Sequence, residues 1–289
     1  MASLEQILVS SVYMVTVLVF TPVYLRVLYI FCAKEKYRTL KCYHIIIQMG
    51  ILQCLMAPGY FLFGLAQVLE YDYLGLAVFT TKAGIVGTQV EGVLGLVLAV
   101  NRLATISGLH VSSMVFTVCQ VLASLLYIAY YAMPFYSKIV IVFGEYIIHT
   151  DESLPISQFW SSASGIIIQT LYFLTFVIYV LLFGYIVYTR YTKTHSARIK
   201  TEKNIILYAS IRFAVDIGLS LVFHYVSLPK HSLSEFFQYW IYMVNNLALS
   251  ALLHLLVNKS LRREFWGRSV LNEALRVTPM SAIRTELTK

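Results

Sequence analysis

Residues 161–188 read SSASGIIIQTLYFLTFVIYVLLFGYIVY, with no Asp, Glu, Lys or Arg among them. A bilayer core about 30 Å thick is crossed by roughly 20 apolar residues rising 1.5 Å each. This stretch is longer than that. Six others of similar character lie at 7–31, 43–69, 76–100, 111–133, 204–227 and 236–257. Few soluble folds use one such segment, and none needs seven in 289 residues. The chain is predicted to be an all-α membrane protein with a seven-transmembrane helix bundle.

Composition agrees. Hydrophobic residues make up 59% and charged residues 12%, against about 25% charged in soluble domains. Mean hydropathy is +0.73. One bundle over residues 1–267 and a cytoplasmic tail over 268–289 account for the length. About six residues precede the first span, so no cleavable signal peptide is expected.

The net charge of +8 is unevenly placed. Lys34, Lys36, Arg38 and Lys41 sit in one loop, and Arg102 follows span 3. Arg190, Lys193, Arg198, Lys200 and Lys203 precede span 6, and Lys259, Arg262, Arg263 and Arg268 begin the tail. The opposite loops hold Lys138 and Lys230 with the acids Glu70, Asp72, Glu145, Asp151, Glu152 and Glu235. Basic loops stay inside, which puts the N-terminus outside and the tail in the cytoplasm. The charge is thus read as contact with the lipid bilayer and not with nucleic acid. Cys32 and Cys42 lie on the basic side, and Cys54 and Cys119 lie within spans, so no extracellular disulfide is expected.

Polar residues deep in a span are costly and face the bundle interior. Here they are Gln53, Glu91, Arg212, Asp216, Asn245 and Asn246. Gln53 and Glu91 each lie about 15 Å from the basic ends of spans 2 and 3, near mid-membrane. Arg212 and Asp216 are spaced i,i+4 and share a face. The set can be structural glue between helices, a polar switch, or both. Glu91 has three open roles: binding sodium, holding a proton, or pairing with Arg212. A pairing predicts that exchanging the two charges rescues either single loss. Pro58-Gly59 predicts a kink in span 2.

Span 3 ends in Asn101-Arg102-Leu103. Span 7 carries Asn246 and then Ser250-Ala251-Leu252-Leu253-His254. Asn258-Lys259-Ser260-Leu261-Arg262-Arg263-Glu264-Phe265 follows as a short amphipathic segment after span 7. In order and spacing these resemble the motifs of a rhodopsin-like G-protein-coupled receptor across residues 7–267. Tyr37-Arg38-Thr39-Leu40-Lys41-Cys42-Tyr43-His44-Ile45, then Gln48-Met49-Gly50-Ile51, with the Asn101-Arg102 pair, resembles the nematode serpentine chemoreceptors of class T, X or V type. The departures are several. Gln53 stands where the family has an acid, Ser250 and His254 stand where it has Asn and Tyr, and no Trp-x-Pro occurs in span 6. The family's outer disulfide has no cysteines.

The resemblance implies a plasma-membrane receptor of sensory neurons or their cilia. Its implied partners are a small-molecule ligand and a heterotrimeric G protein. Asn101, Arg102, Glu202, Ser250 and His254 would form the coupling switch, with Glu202 clasping Arg102. No cofactor is implied, and no HExxH, Gly-x-Gly-Asp or zinc spacing suggests an enzyme. Residues 236–257 hold no lysine for a retinal Schiff base. A seven-span transporter for a small solute is the rival reading.

Overall fold

The computed structural model describes residues 2–132, 139–151, 153–191, 197–225 and 232–267. Nearly all of it is helical: α1 (Leu4–Ala33), α2 (Glu35–Arg38), α3 (Lys41–Leu69), α4 (Leu76–Ser107), α5 (Ser113–Ala132), α6 (Pro155–Tyr191), α7 (Ala197–Tyr225), α8 (Ser232–Met243), α9 (Ser250–Val257) and α10 (Lys259–Phe265). Among the described residues, six helices are long and apolar enough to cross a membrane: α1, α3, α4 with its leading turn, α6, α7, and the continuous run Leu233–Val257. The predicted fourth span corresponds to α5, whose described apolar stretch, Ser113–Ala129, is shorter. The architecture is that of an all-α membrane protein.

Most helices overrun the predicted apolar stretches by one or two turns, because helical winding continues past the hydrocarbon edge. Local chemistry marks their ends. The Ser3 hydroxyl accepts from the Gln6 amide at 3.1 Å and caps α1. The Asp72 carboxylate accepts from the Ala77 and Val78 amides at 2.8 and 3.1 Å and starts α4. Gly108, at φ 76°, ends α4 in the left-handed region that glycine tolerates.

Large apolar side chains such as Leu18, Leu125, Phe173 and Phe183 point outward and stay exposed. That is the surface expected where lipid is the solvent, so helices must associate by close packing and polar contacts. Gly59 shows the first of these. The α3 helix continues through Pro58, and a Cβ at Gly59 would lie 2.9 Å from the Thr80 carbonyl oxygen of α4. The sequence predicts a kink at Pro58-Gly59; what Gly59 does there is let two backbones approach. Gly59→Ala is expected to destabilise by about 1–3 kcal/mol, read as a lowered thermal midpoint of the purified protein.

Two ends of the bundle differ. At one, β1 (Ile139–Val140) and β2 (His149–Thr150) pair antiparallel in a small hairpin, the one departure from all-helical structure among the described residues. At the other, α10, the short helix expected after span 7, lies across the ends of α1 and α9. Asn258 caps it by accepting from the Leu261 amide at 3.1 Å, and Leu261 is fully buried.

The Arg26 guanidinium donates to the Phe265 carbonyl at 2.6 Å and lies 5.0 Å from the Phe265 ring. Lys36 donates to Ser260 at 2.6 Å and pairs with Glu264. Partial burial alone would lower the Lys36 pKa, but the Glu264 hydrogen bond overrides it and the pKa rises above its ordinary 10.5. A raised pKa gives stability that is fully present below 10.5 and lost as pH rises through the folded value. Hydrogen exchange in α10 is therefore expected to be unaffected by this pair's titration through neutral pH and to quicken in strong alkali.

Candidate functional site

Arg212 and Asp216 stand one turn apart on α7, and Arg212 Nε lies 3.0 Å from Asp216 Oδ2. The guanidinium is a rigid fork of five N–H donors and can serve several acceptors in one plane. Here Nη2 lies 2.7 Å from Glu91 Oε1 of α4 and donates to Asn246 Oδ1 at 3.2 Å. Nη1 donates to the Ser250 hydroxyl at 2.9 Å and to the Asn245 carbonyl. Glu91 Oε1 also accepts from Gln53 Nε2, and Gln53 Oε1 accepts from the Tyr24 hydroxyl. Asn245 Nδ2 donates to Asp216 Oδ1 at 2.7 Å. Asn246 Nδ2 donates to Tyr60 Oη at 3.0 Å and approaches Met56 Sδ at 3.5 Å. One buried network thus joins α1, α3, α4, α7 and the last span.

The last span is not a plain α-helix. Val244–Leu249 wind as a π-helix between α8 and α9. Neighbours on an α-helix stand about 100° apart. The wider i→i+5 winding narrows that angle, so Asn245 and Asn246 are both buried. It also shifts carbonyls out of the regular ladder, and the Asn245 carbonyl is the one that receives Arg212.

The predicted polar residues Gln53, Glu91, Arg212, Asp216 and Asn246 therefore meet in one place. Of the three roles open to Glu91, the geometry is that of pairing with Arg212. The coupling residues are described only in part. Ser250, expected at the coupling face, is fully buried in the central network, because α9 turns that face toward α7. His254 is also buried: its ring stacks on Tyr208 with centroids 3.8 Å apart and meets the Phe31 edge at 5.0 Å. Asn101 and Arg102 sit together near the end of α4, with Arg102 Nη2 donating to Asn101 Oδ1 at 2.5 Å. Glu202 lies in α7 with its side chain outside the described residues, so the Arg102–Glu202 clasp is not described. The tail at 268–289 is outside them as well.

Tyr24, Met56 and Tyr60 are network members that the sequence reading missed. A signal was available for two of them. Gln53, Met56 and Tyr60 run i, i+3, i+7 along one face of α3.

Directly toward the hairpin end lies a cavity of about 340 Å³, within the ordinary range for ligand sites. Its walls come from α3, α4, α6, α7 and α8, and its roof is Ile147–His149 of the hairpin. Met56, Tyr60 and Tyr172 line it, and the first two touch Asn246. Tyr172 also borders a much smaller space, about 30 Å³, against Glu91, Arg212 and Asp216.

The roof is held by Gln67, which is fully buried. Its Nε2 donates to the Val142 and Glu145 carbonyls at 3.0 and 2.8 Å, and its Oε1 accepts from the Gly144 amide at 3.0 Å. Gln6 Nε2 reaches the Gln67 carbonyl at 2.7 Å from α1. Gln67→Ala would take this partner from the Val142 and Glu145 carbonyls and the Gly144 amide, at about 1–3 kcal/mol. Amide exchange in 139–150 is expected to quicken at least tenfold, while that of the helices stays as it was.

No family model matches this chain, and no curated protein does. The functional reading therefore rests on the site's own geometry and on the sequence patterns that border it.

Proposed function

We propose that the chain is a rhodopsin-like G-protein-coupled receptor of the nematode serpentine chemoreceptor type. In this reading it has seven spans, α5 being the fourth, with the hairpin end outside and α10 on the cytoplasmic leaflet of the plasma membrane. A small-molecule ligand enters the cavity from outside, and a heterotrimeric G protein binds at the Arg102 end. The observation that carries the reading is the shared wall: Tyr60 and Met56 line the cavity and also contact Asn246 of the ionic network. A ligand shifts a conformational equilibrium only by its differential affinity for two states. Contact with Tyr60 supplies that difference, because Tyr60 helps hold Asn246, and Asn246 and Ser250 tie the last span to Arg212 of α7. Relaxing that tie lets α7 move relative to α4 at the cytoplasmic side.

Nucleotide exchange on a panel of Gα subunits, in membranes with matched surface expression, tests this. Glu202→Gln should raise agonist-free exchange, and Arg102→Ala should abolish it. Silence from all three proteins, together with solute uptake in proteoliposomes, would replace the receptor with a transporter.

A further inference from the structure

Three buried polar atoms of cavity-lining residues lack a hydrogen-bond partner among the described residues: His149 Nε2 at the roof and, on α4, Thr81 Oγ1 and Gln89 Oε1. Thr81 and Gln89 are each only 3% exposed. Leaving such a group unpaired costs about 1–3 kcal/mol. Neighbouring threonines on the same helix avoid that cost. Thr80 donates back to the Leu76 carbonyl at 2.8 Å, and Thr88 donates to the Ile85 carbonyl at 2.8 Å. Thr81 makes no such bond, although the same helical backbone surrounds it.

Thr81, Ile85 and Gln89 are spaced i, i+4, i+8 and form one stripe along α4. The two polar atoms on α4 therefore belong to residues about 12 Å apart along the helix axis. Thr81 lies toward the hairpin end and Gln89 toward the ionic network. Between them the wall is Ile85 and Gly84, and Ile148 and Ile168 contribute further apolar lining.

No Asp, Glu, Lys or Arg lines the cavity among the described residues. The His149 imidazole also lines the cavity, and its Nε2 lies 2.6 Å from Glu145 Oε2, so a carboxylate already stands beside that ring. A carboxylate or ammonium entering here would lose its hydration without a free counter-charge, which is costly.

We propose that the cavity takes an uncharged, elongated, mainly apolar molecule with a hydrogen-bonding group near each end. One end donates to Gln89 Oε1 beside the network, and the other meets the Thr81 hydroxyl near the roof. This rests on reading the cavity as the receptor's ligand site and adds the ligand's chemical class.

The test uses the full chain in lipid nanodiscs and four probes of equal length: octane-1,8-diol, 1-octanol, octanedioate and 1,8-diaminooctane. Binding is read as a concentration-dependent rise in the thermal midpoint. The diol should bind at least tenfold tighter than either charged congener and tighter than the mono-alcohol. Gln89→Leu should weaken the diol about tenfold or more, the size of one lost hydrogen bond. Thr81→Val should remove the diol's advantage over 1-octanol. Equal binding of the charged congeners, indifference to both substitutions, or no diol binding at millimolar concentration would overturn the inference. The ranking in the unsubstituted protein stands even where a variant folds poorly. Gα exchange is scored separately. The expected ranking with no exchange on any Gα would retain the ligand class and remove the receptor; exchange driven by the charged congeners would do the reverse.

Discussion

Arg212→Met is expected to leave little folded protein. Arg212 is the one described basic group that contacts both Glu91 and Asp216, and its side chain is almost wholly buried. Methionine keeps the volume and removes the charge, so two carboxylates face a low-dielectric interior uncompensated. Breaking a buried pair in this way costs about 3–5 kcal/mol, and a domain's whole stability is about 5–15 kcal/mol. The check is the yield of monodisperse protein and its thermal midpoint.

Neutralising the acids as well, in Arg212→Met with Glu91→Gln and Asp216→Asn, should recover most of the loss, since the amides retain shape and hydrogen bonding. A triple variant no better than the single would remove the charge argument. The two-residue exchange that the sequence predicts to rescue, Glu91→Arg with Arg212→Glu, is expected to fail. The acid introduced at 212 would stand one turn from Asp216, and like charges there repel. The reason is that Arg212 serves both acids at once, whereas the exchange treats it as the partner of Glu91 alone.

Deleting Val244 is expected to be nearly as damaging. The π-segment holds one residue more than a regular helix would need over the same length. Removing one lets the segment wind as an α-helix over that same length, so the helices on either side keep their mutual rotation and only the residues of the π turn change their facing. Tyr239, whose ring centroid lies 5.4 Å from that of Tyr13 and 5.0 Å from that of Phe63, should keep that cluster. Asn245 and Asn246, which the π turn buries together, would no longer both face the network, and the Asn245 carbonyl would return to the helical ladder and away from Arg212. Within lipid, polar partners of this kind help hold helices together, so no equal contact awaits them outside. Expected results are loss of surface expression and of any ligand response. Inserting one alanine after Ala248 in the same deletion variant should restore both, because it restores the extra residue within the same turn. A deletion tolerated without that insertion would show that the π winding has no structural role.

Much of this was legible in the chain. The apolar runs locate every long helix, since the length needed to cross a bilayer is a property of local composition. Asn258 through Phe265 reads correctly as a short amphipathic helix, because its cap and its pattern are also local. The i,i+4 spacing of Arg212 and Asp216 places them on one face, and depth counting brings Gln53 and Glu91 to one level. The surroundings of Ser250 depend on how α9 is rotated, which no spacing within α9 reveals. Gln67 carried no signal at all: its partners are backbone groups of a hairpin more than seventy residues away.

Sequence alone determined that this is a membrane protein of long helices with a few polar side chains that must be hidden from lipid. It could do so because burying an unpaired charge or backbone group in hydrocarbon is costly whatever the fold. Tertiary structure alone decided which polar groups meet, that Arg212 serves two carboxylates, that the last span changes its winding, and that a roofed cavity borders the network. Those outcomes depend on the rotation and depth of each helix against its neighbours. Close approaches such as Gly59 on Thr80 and shared hydrogen bonds set that rotation, and they exist only once the helices are side by side.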